Sequence, residues 1–387
     1  MILSLVIMLI RKSIYILFIF IITTSCVDSY WPEIDKYDNV LVVDGLLTND
    51  PTDTIVIKLS TSSSINSGEL IPLSGSELYI TDIGNTEVYL TETNPGTYKV
   101  MDNDFTGLTG HSYQLNITLQ NGKRYQSDIC KLTLQSPIDS VYGLIESHQM
   151  PNSNEQVGGV QFYINNHRNI ADTAYYLWKL AQTFEYKSSF SIDYIWTGSI
   201  FDPYPNPDSL RTCWYTSSIN NIFTYTTKYL DKPIIEKLPL NFTSTKSKSL
   251  SIRYSLLVKQ LSITEEAYIF WDALKQQNIE QNGLYSQQPI QIRGNVTNIS
   301  DSDEAVLGYF TVAGVTKKRI YINRPPLVFL YDECTPDFDG MRFIRFEPGP
   351  IYIVDVQGNL AMGNSDGCFD CRLSGGILTP PSFWNYN

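Results

Sequence analysis

Apolar residues at every second position dominate the first third of the chain and predict short β-strands. Ile55, Ile57 and Leu59 follow this spacing in DTIVIKLS, and Leu78 and Ile80 repeat it in ELYITDI. A period of two is typical of a strand that buries one face. The pattern therefore predicts a β-rich first block.

Turn residues divide this block at regular intervals. Asn121-Gly122 stands between HSYQLNITLQ and KRYQSDICKLTL, and Asn-Gly between two alternating segments is a strong hairpin signal. About seven short strands with regular turns are typical of an immunoglobulin-like sandwich. We therefore predict an immunoglobulin-like β-sandwich over residues 39–136.

A second block begins after the joint at Pro137 and forms a larger β-rich domain over residues 137–387. Its strands include GGVQFYINN and LSIRYSLLVKQLS. One surface helix interrupts them over about residues 263–280, because Ser262 and Glu265 form a capping box and apolar residues follow at helical spacing. That apolar face consists of Ala267, Phe270, Trp271 and Leu274. Gly283 follows the helix as a stop signal. The fold class predicted is mainly β.

The N-terminus has the layout of a bacterial lipoprotein signal. Arg11 and Lys12 precede an apolar run, the small residues Thr23 to Ser25 follow, and Cys26 comes next. This order predicts a signal peptide over residues 1–25, with lipidation of Cys26 and a polar tether over 26–38. The alternative is an uncleaved transmembrane anchor, but Arg11 and Lys12 divide the apolar stretch into halves too short to span a bilayer. The start codon is Met1 or Met8.

Charge and cysteine content narrow the classes of function. A net charge of −12 argues against nucleic-acid binding, which needs clustered basic residues. An exported chain keeps disulfides, and we expect one from Cys213 or Cys334 to Cys368 or Cys371, with the pairing left open. Five cysteines besides Cys26 leave at least one free thiol. The Cys368-x-x-Cys371 motif has no second ligand pair for zinc.

Aromatic rings are concentrated between residues 188 and 218, next to several prolines. Such a loop can present rings to a sugar, a peptide or a partner protein. The alternative is a loop that folds back and buries the rings in its own domain. The candidate ligand-binding residues are Tyr194, Trp196, Tyr204, Trp214 and Tyr215.

No catalytic constellation stands out in the sequence. The chain contains neither a nucleophile elbow nor an H-E-x-x-H motif or P-loop. The acidic turns at 301–304 and 337–340 lack the downstream glutamate of a calcium loop. We therefore predict no catalytic residue, no metal site and no cofactor. Paired carboxylates for glycoside cleavage stay open, because their separation in space is not readable from sequence.

Several segments of the second block resemble one protein family. They are GNVTN, VLGYF, DGCFDC followed by GG, and PSFW, and the early LVVDGLL and GLTGHSYQLNITLQNGKRYQS fit the same pattern. The chain resembles the DUF4249 family of Bacteroidota lipoproteins, whose function is uncharacterised. The resemblance implies a lipoprotein of the outer membrane, surface-exposed or facing the periplasm, often encoded beside a TonB-dependent receptor. The tail ILTPPSFW departs from the more polar linker of the family.

Two functions of different classes follow. The first is a non-enzymatic accessory or ligand-capture subunit of a TonB-dependent transporter, lipid-anchored in the outer membrane at the cell surface and serving nutrient uptake. The second is a stand-alone surface protein that binds or hydrolyses carbohydrate or peptide. An envelope-assembly or adhesion factor ranks below both.

Overall fold

The computed structural model describes residues 40–62, 70–101, 105–150, 154–167, 172–281 and 292–384. The predicted signal peptide, Cys26, the tether and Gly283 lie outside these residues. The described chain is mainly β, as predicted, and it contains one α-helix. Its first nine strands are β1 (Leu41–Thr48), β2 (Val56–Ser62), β3 (Leu70–Pro72), β4 (Glu77–Asp82), β5 (Glu87–Asn94), β6 (Thr97–Val100), β7 (Ser112–Thr118), β8 (Arg124–Ser127) and β9 (Cys130–Lys131).

The remaining elements follow after Pro137. They are β10 (Ser140–Gln149), β11 (Gln156–His167), β12 (Tyr175–Lys187), β13 (Tyr194–Trp196), β14 (Phe201–Pro203), β15 (Thr212–Thr226), β16 (Ile234–Ser244), β17 (Arg253–Ile263), α1 (Glu265–Gln281), β18 (Val296–Asn298), β19 (Val306–Asn323), β20 (Pro336–Asp337), β21 (Ile351–Val356) and β22 (Asn359–Gly363). Short 3-10 helices lie at Lys248–Leu250, Gly340–Arg342, Ile344–Phe346, Asp366–Cys368 and Cys371–Ser374.

Strand β19 joins the two halves of the largest sheet. Its first half, Val306–Ala313, pairs in parallel with β1, and its second half pairs antiparallel with β17. The sheet order along the main path is β15-β12-β17-β19-β1-β2-β6-β5-β4-β7-β8-β18. One continuous strand therefore carries the backbone hydrogen bonding from the first predicted block into the second.

The first core contains the alternating residues that the sequence indicated. Ile57, Leu59, Leu78 and Ile80 are fully or almost fully buried in it. The same core also includes residues from late in the chain: Val296, Val306, Phe310 and Val312. It therefore draws on both predicted blocks, and the immunoglobulin-like topology of residues 39–136 stays a prediction.

Strand β12 separates two further cores by its alternation. Tyr176, Trp178 and Leu180 point to one face, where the three-stranded sheet β10-β11-β16 covers them. Leu177 points to the other face and packs under α1. Helix α1 is thereby held on the large sheet beside β15.

Helix α1 has the predicted apolar face and a different cap. Ala267 and Phe270 are buried against the sheet, and Trp271 and Leu274 pack around them. The predicted capping box is wrong, because the Ser262 hydroxyl accepts a hydrogen bond from the Ser136 N–H at 3.1 Å. Thr264 caps the helix instead, since its Oγ1 accepts from the Ala267 N–H at 3.4 Å. The Ser262 side chain is committed to the segment that precedes β10.

Candidate functional site

The five aromatic residues predicted as ligand-binding positions do not share one surface. Tyr194 and Trp196 lie in β13, Tyr204 follows β14, and Trp214 and Tyr215 lie in β15. Trp196 is 5 % exposed and Trp214 is 8 % exposed. Four of the rings fall into three separate packed clusters: Tyr204 in one, Tyr215 in another, and Tyr194 with Trp196 in the third.

Trp196 shows how this stretch folds back on its own domain. Its ring packs with Ile344 and Ile353, and its Nε1 donates a hydrogen bond to the Glu347 carbonyl oxygen at 3.0 Å. Tyr204 packs edge-on against Tyr352 with ring centroids 5.9 Å apart. This burial favours the alternative that the aromatic loop folds back and buries its rings in its own domain.

Two disulfides hold the C-terminal segment, and they use the four predicted cysteines. Cys213 pairs with Cys371, and Cys334 pairs with Cys368. The free thiol in the described chain is Cys130. Burial raises the pKa of the Cys130 thiol to about 12, against a hydrogen bond from Asn295 that lowers it. A thiol that stays protonated at neutral pH is a poor nucleophile.

A β-bulge in β15 opens the edge of the large sheet. Leu180 of β12 pairs with Ile219, but Trp178 pairs with Phe223, so three residues of β15 lie opposite Lys179 alone. Bulges occur often at sheet edges and beside functional sites, where they redirect side chains. The three bulged residues are Asn220, Asn221 and Ile222, and both asparagines are exposed.

Two adjoining clefts meet at this bulge, and together we call them the bulge groove. One cleft, of about 430 Å³, runs between α1, β12 and the start of β1 and β19. The other, of about 670 Å³, runs between α1, β15 and β16. Trp178 and the three bulged residues line both clefts. Each of the two volumes is within the range of small-molecule sites.

Side chains from α1 form one wall of the bulge groove. Thr224 holds the helix in place, because its hydroxyl donates to Asp272 at 2.8 Å and its carbonyl accepts from Lys275 at 3.3 Å. The Lys179 ammonium lies 5.7 Å from the centre of the Trp271 ring. The groove therefore presents the Trp271 ring and two cations, Lys275 of α1 and Lys179 of β12, beside the asparagine amides.

A buried polar network supports the floor of the bulge groove. Gln260 is completely buried, and its Oε1 accepts from the Trp178 indole at 3.0 Å and from the Asn166 amide at 2.9 Å. Its Nε2 donates to the Ser136 carbonyl at 3.0 Å. Buried hydrogen bonds fix side-chain positions, so the bond to Gln260 orients the Trp178 ring under the bulge.

Two histidines and the acidic turn at 301–304 have structural partners. His148 pairs with Glu146 at 3.1 Å, and His167 pairs with Asp139 at 2.6 Å. In the acidic turn at 301–304, Glu304 accepts hydrogen bonds from Lys123, Tyr125 and Asn298. Among the described residues, no three His, Cys, Asp or Glu side chains are grouped as metal ligands.

The sequence contains only a weak signal for the bulge groove. The segment SSINNIF reads as part of a half-exposed strand, and the only signal is the consecutive pair Asn220-Asn221, where strict alternation breaks. Lys179, Trp271 and Lys275 come from distant segments. Separately, no helix in the described ranges is long and apolar enough to cross a bilayer.

Comparison with known proteins places the chain in a family. No curated protein matches the chain. A family model described as a domain of unknown function (DUF4249) matches residues 27–319. This range contains the whole bulge groove and ends before Cys334, the first cysteine of the C-terminal disulfide pair. The chain belongs to the DUF4249 family.

Proposed function

We propose that this protein is a non-enzymatic ligand-capture subunit of a TonB-dependent outer-membrane transporter, anchored in the outer membrane through a lipid on Cys26. The observation that carries the capture role is the bulge groove, an open site built on a rigid sheet edge. The signal-like N-terminus supports the anchor, and so does a family match whose first residue, 27, follows Cys26.

The groove has the chemistry of a site for a polar ligand, because asparagine amides and the Lys179 and Lys275 ammonium groups line it. Asn220 and Asn221 each offer both a donor and an acceptor, and Trp271 offers part of a ring face. Rings beside amides suit a sugar or an extended peptide, whose hydroxyl or amide groups need partners of both kinds. A ligand held by these groups is bound without being chemically changed.

Binding by the purified full-length protein tests the groove. On arrays of oligosaccharides and peptides, Asn220→Ala/Asn221→Ala lowers the signal of any bound ligand at least tenfold, since two to four hydrogen bonds are lost. Asn359→Ala, which changes an exposed asparagine on β22, is the matched control and leaves the signal unchanged. Equal binding by both variants would reject the groove as the capture site.

Affinity purification from native membranes in mild detergent tests the transporter partnership. The tagged protein brings down a large β-barrel receptor of the TonB-dependent class, and a Cys26→Ala variant loses both membrane association and the receptor. Recovery of the wild-type protein alone, under conditions that preserve other such complexes, would reject the partnership. Ligand binding without a receptor would instead support a stand-alone binding protein.

A further inference from the structure

A third cleft, which shares no lining residue with the bulge groove, contains a cluster of positively charged side chains. It has a volume of about 270 Å³ and lies where β12 ends beside the C-terminal segment. Lys187, Arg211, Lys248 and Arg324 line it, against one carboxylate, Glu333. The chain as a whole carries 40 acidic and 28 basic residues, so this local excess of cations runs against the overall charge. We call it the basic cleft.

Backbone carbonyls, rather than carboxylates, hold two of these cations. The Lys248 ammonium donates to the Lys187 carbonyl at 3.2 Å, and the Arg324 guanidinium donates to the Ser251 carbonyl at 2.9 Å. In the described part of the chain, Arg211 is the one of the four in an ion pair, with Asp208 at 3.2 Å. Carbonyl partners direct a cation without neutralising it.

Aromatic rings further fix the same two side chains. The Arg324 guanidinium lies 4.2 Å from the centre of the Phe329 ring, and the Lys248 ammonium lies 5.8 Å from that of Tyr331. These contacts hold a cation in place while leaving its charge available to a ligand. The cations are therefore positioned before any ligand arrives.

The wall of the basic cleft is covalently fixed. Cys334 lines the cleft and is bonded to Cys368, and its backbone N–H donates to the Ser189 hydroxyl at 3.3 Å. A preformed wall lowers the entropy cost of binding. The cleft thus has the rigidity of a built site.

Partial burial makes the charged form of Lys248 less favourable, and an anionic ligand would offset this free-energy cost. Burial lowers the pKa of Lys248, and the nearby charge of Glu333 offsets this only in part. Burial favours the neutral form of an amine, and a nearby negative charge favours the cation. An anion in the cleft would therefore bind and stabilise the charged form of Lys248.

We propose that the basic cleft binds a tetrahedral oxyanion, the sulfate or phosphate group of a ligand, through Lys248 and Arg324. This site is separate from the bulge groove and does not depend on the capture role proposed above. Several fixed cations around a small cleft match the charge of such a group, and charge-assisted hydrogen bonds to sulfate or phosphate oxygens are the strong ones.

Calorimetric titration of the purified full-length protein at constant ionic strength tests the proposal. Inorganic sulfate and inorganic phosphate are the probes, with acetate and chloride as comparison anions. We expect saturable binding of a tetrahedral oxyanion, and glucose 6-sulfate and glucose 6-phosphate then show which ester is preferred. Equal and unsaturable responses to all four simple anions would show a solvated basic surface and overturn the proposal.

Substitutions locate the site. Lys248→Met and Arg324→Gln each weaken binding about tenfold or more, the loss expected for one charge-assisted hydrogen bond, and Lys248→Arg restores part of it. Lys232→Met, at an exposed lysine outside the cleft, changes affinity less than twofold. Since Arg324 is exposed, Arg324→Gln still tests the site if Lys248→Met does not fold. Unchanged affinity in Arg324→Gln and in folded Lys248→Met would overturn the proposal.

Discussion

An ion-pair cluster between the first turn and the large sheet makes a sharp prediction about acid stability. The Lys317 ammonium of β19 lies 2.8 Å from Asp50 and 2.7 Å from Asp53. Lys259 of β17 lies 2.7 Å from the same Asp53 oxygen. Asp50 also accepts hydrogen bonds from the backbone N–H and the hydroxyl of Thr52 at 2.8 and 2.7 Å. The cluster ties the turn after β1 to strands β17 and β19.

These contacts lower the pKa of Asp50. Burial acts to raise it, but the hydrogen bonds from Lys317 and Thr52 outweigh burial and bring the pKa from 3.8 to about 2. The unfolded chain therefore takes up the proton more readily than the folded one. The stabilisation is complete above pH 3.8 and is lost as the pH falls through about 2.

The size of the effect follows from the two pKa values. Their difference corresponds to roughly 2.4 kcal/mol at about 1.36 kcal/mol per pH unit. The Asp50 side chain is 21 % exposed, so water and counter-ions screen part of this. We expect Asp50→Asn to lower the free energy of unfolding by about 1 to 2 kcal/mol at neutral pH.

Urea unfolding at a series of pH values between 7 and 2 checks this prediction. The deficit of Asp50→Asn holds from pH 7 to pH 5, shrinks below pH 4, and is mostly lost by pH 2. Asp231→Asn, at an exposed aspartate, controls for the loss of one negative charge and has little effect. A deficit that is constant at every pH, or none at pH 7, would refute the linkage to ionisation.

Variants at five further positions test the parts that hold the fold and the groove, each by urea unfolding. Gln260→Met leaves two buried donors, the Trp178 indole N–H and the Asn166 amide, without their acceptor and costs about 3 kcal/mol; a loss below about 1 kcal/mol would contradict the network's role. Cys213→Ala opens a link across 158 residues and Cys334→Ala one across 34; loop entropy makes the first costlier by roughly 1 kcal/mol, and the reverse order would contradict this. Thr264→Ala costs about 1 kcal/mol as a lost cap, and Thr264→Ser restores most of it. Asn295→Leu leaves the Phe310 N–H of β19 without its acceptor and removes one donor from the Phe310 carbonyl, which costs about 2 to 3 kcal/mol; a neutral result would show that water replaces the amide.

Local patterns in the sequence predicted the features that depend on residues close together along the chain, such as the buried faces of strands and of the helix. Ile57 and Leu59 are buried because a strand sends alternate side chains to one face. Ala267 and Phe270 are buried because a helix brings every third or fourth residue to one side. The helix cap was misread because Ser262, a good capping residue, has a tertiary partner in Ser136.

Long-range pairing set the features that the sequence did not reveal. Trp196 is covered by residues near position 350, so ring content alone could not separate an exposed aromatic loop from a buried one. The parallel pairing of β1 with β19 joins residues more than 200 positions apart and leaves no local signal. The bulge at Asn220 inserts extra residues into β15, but the segment keeps the composition of an ordinary strand and so does not reveal the bulge.

The segments that carry the family resemblance make hydrogen bonds and close packing contacts that stabilise this fold. In GNVTN, Asn295 pairs with both backbone groups of Phe310 at 2.9 and 3.0 Å. A Cβ on Gly294 would collide with the carbonyl oxygen of Gly308 in VLGYF. Gly308 has a φ of 84° and lies against the Val43 carbonyl, where only glycine fits without strain.

Because these motifs pack against each other and against β1, they determine how β19 joins the two halves of the large sheet. Membership of the family therefore predicts the architecture directly, and it predicts the ligand only through that architecture. Asn220 and Asn221 stand on an edge strand whose backbone pairing does not depend on their side chains. Ligand preference can thus change at the bulge groove without loss of the fold, so substitutions there, rather than in the motifs, are the ones that test function.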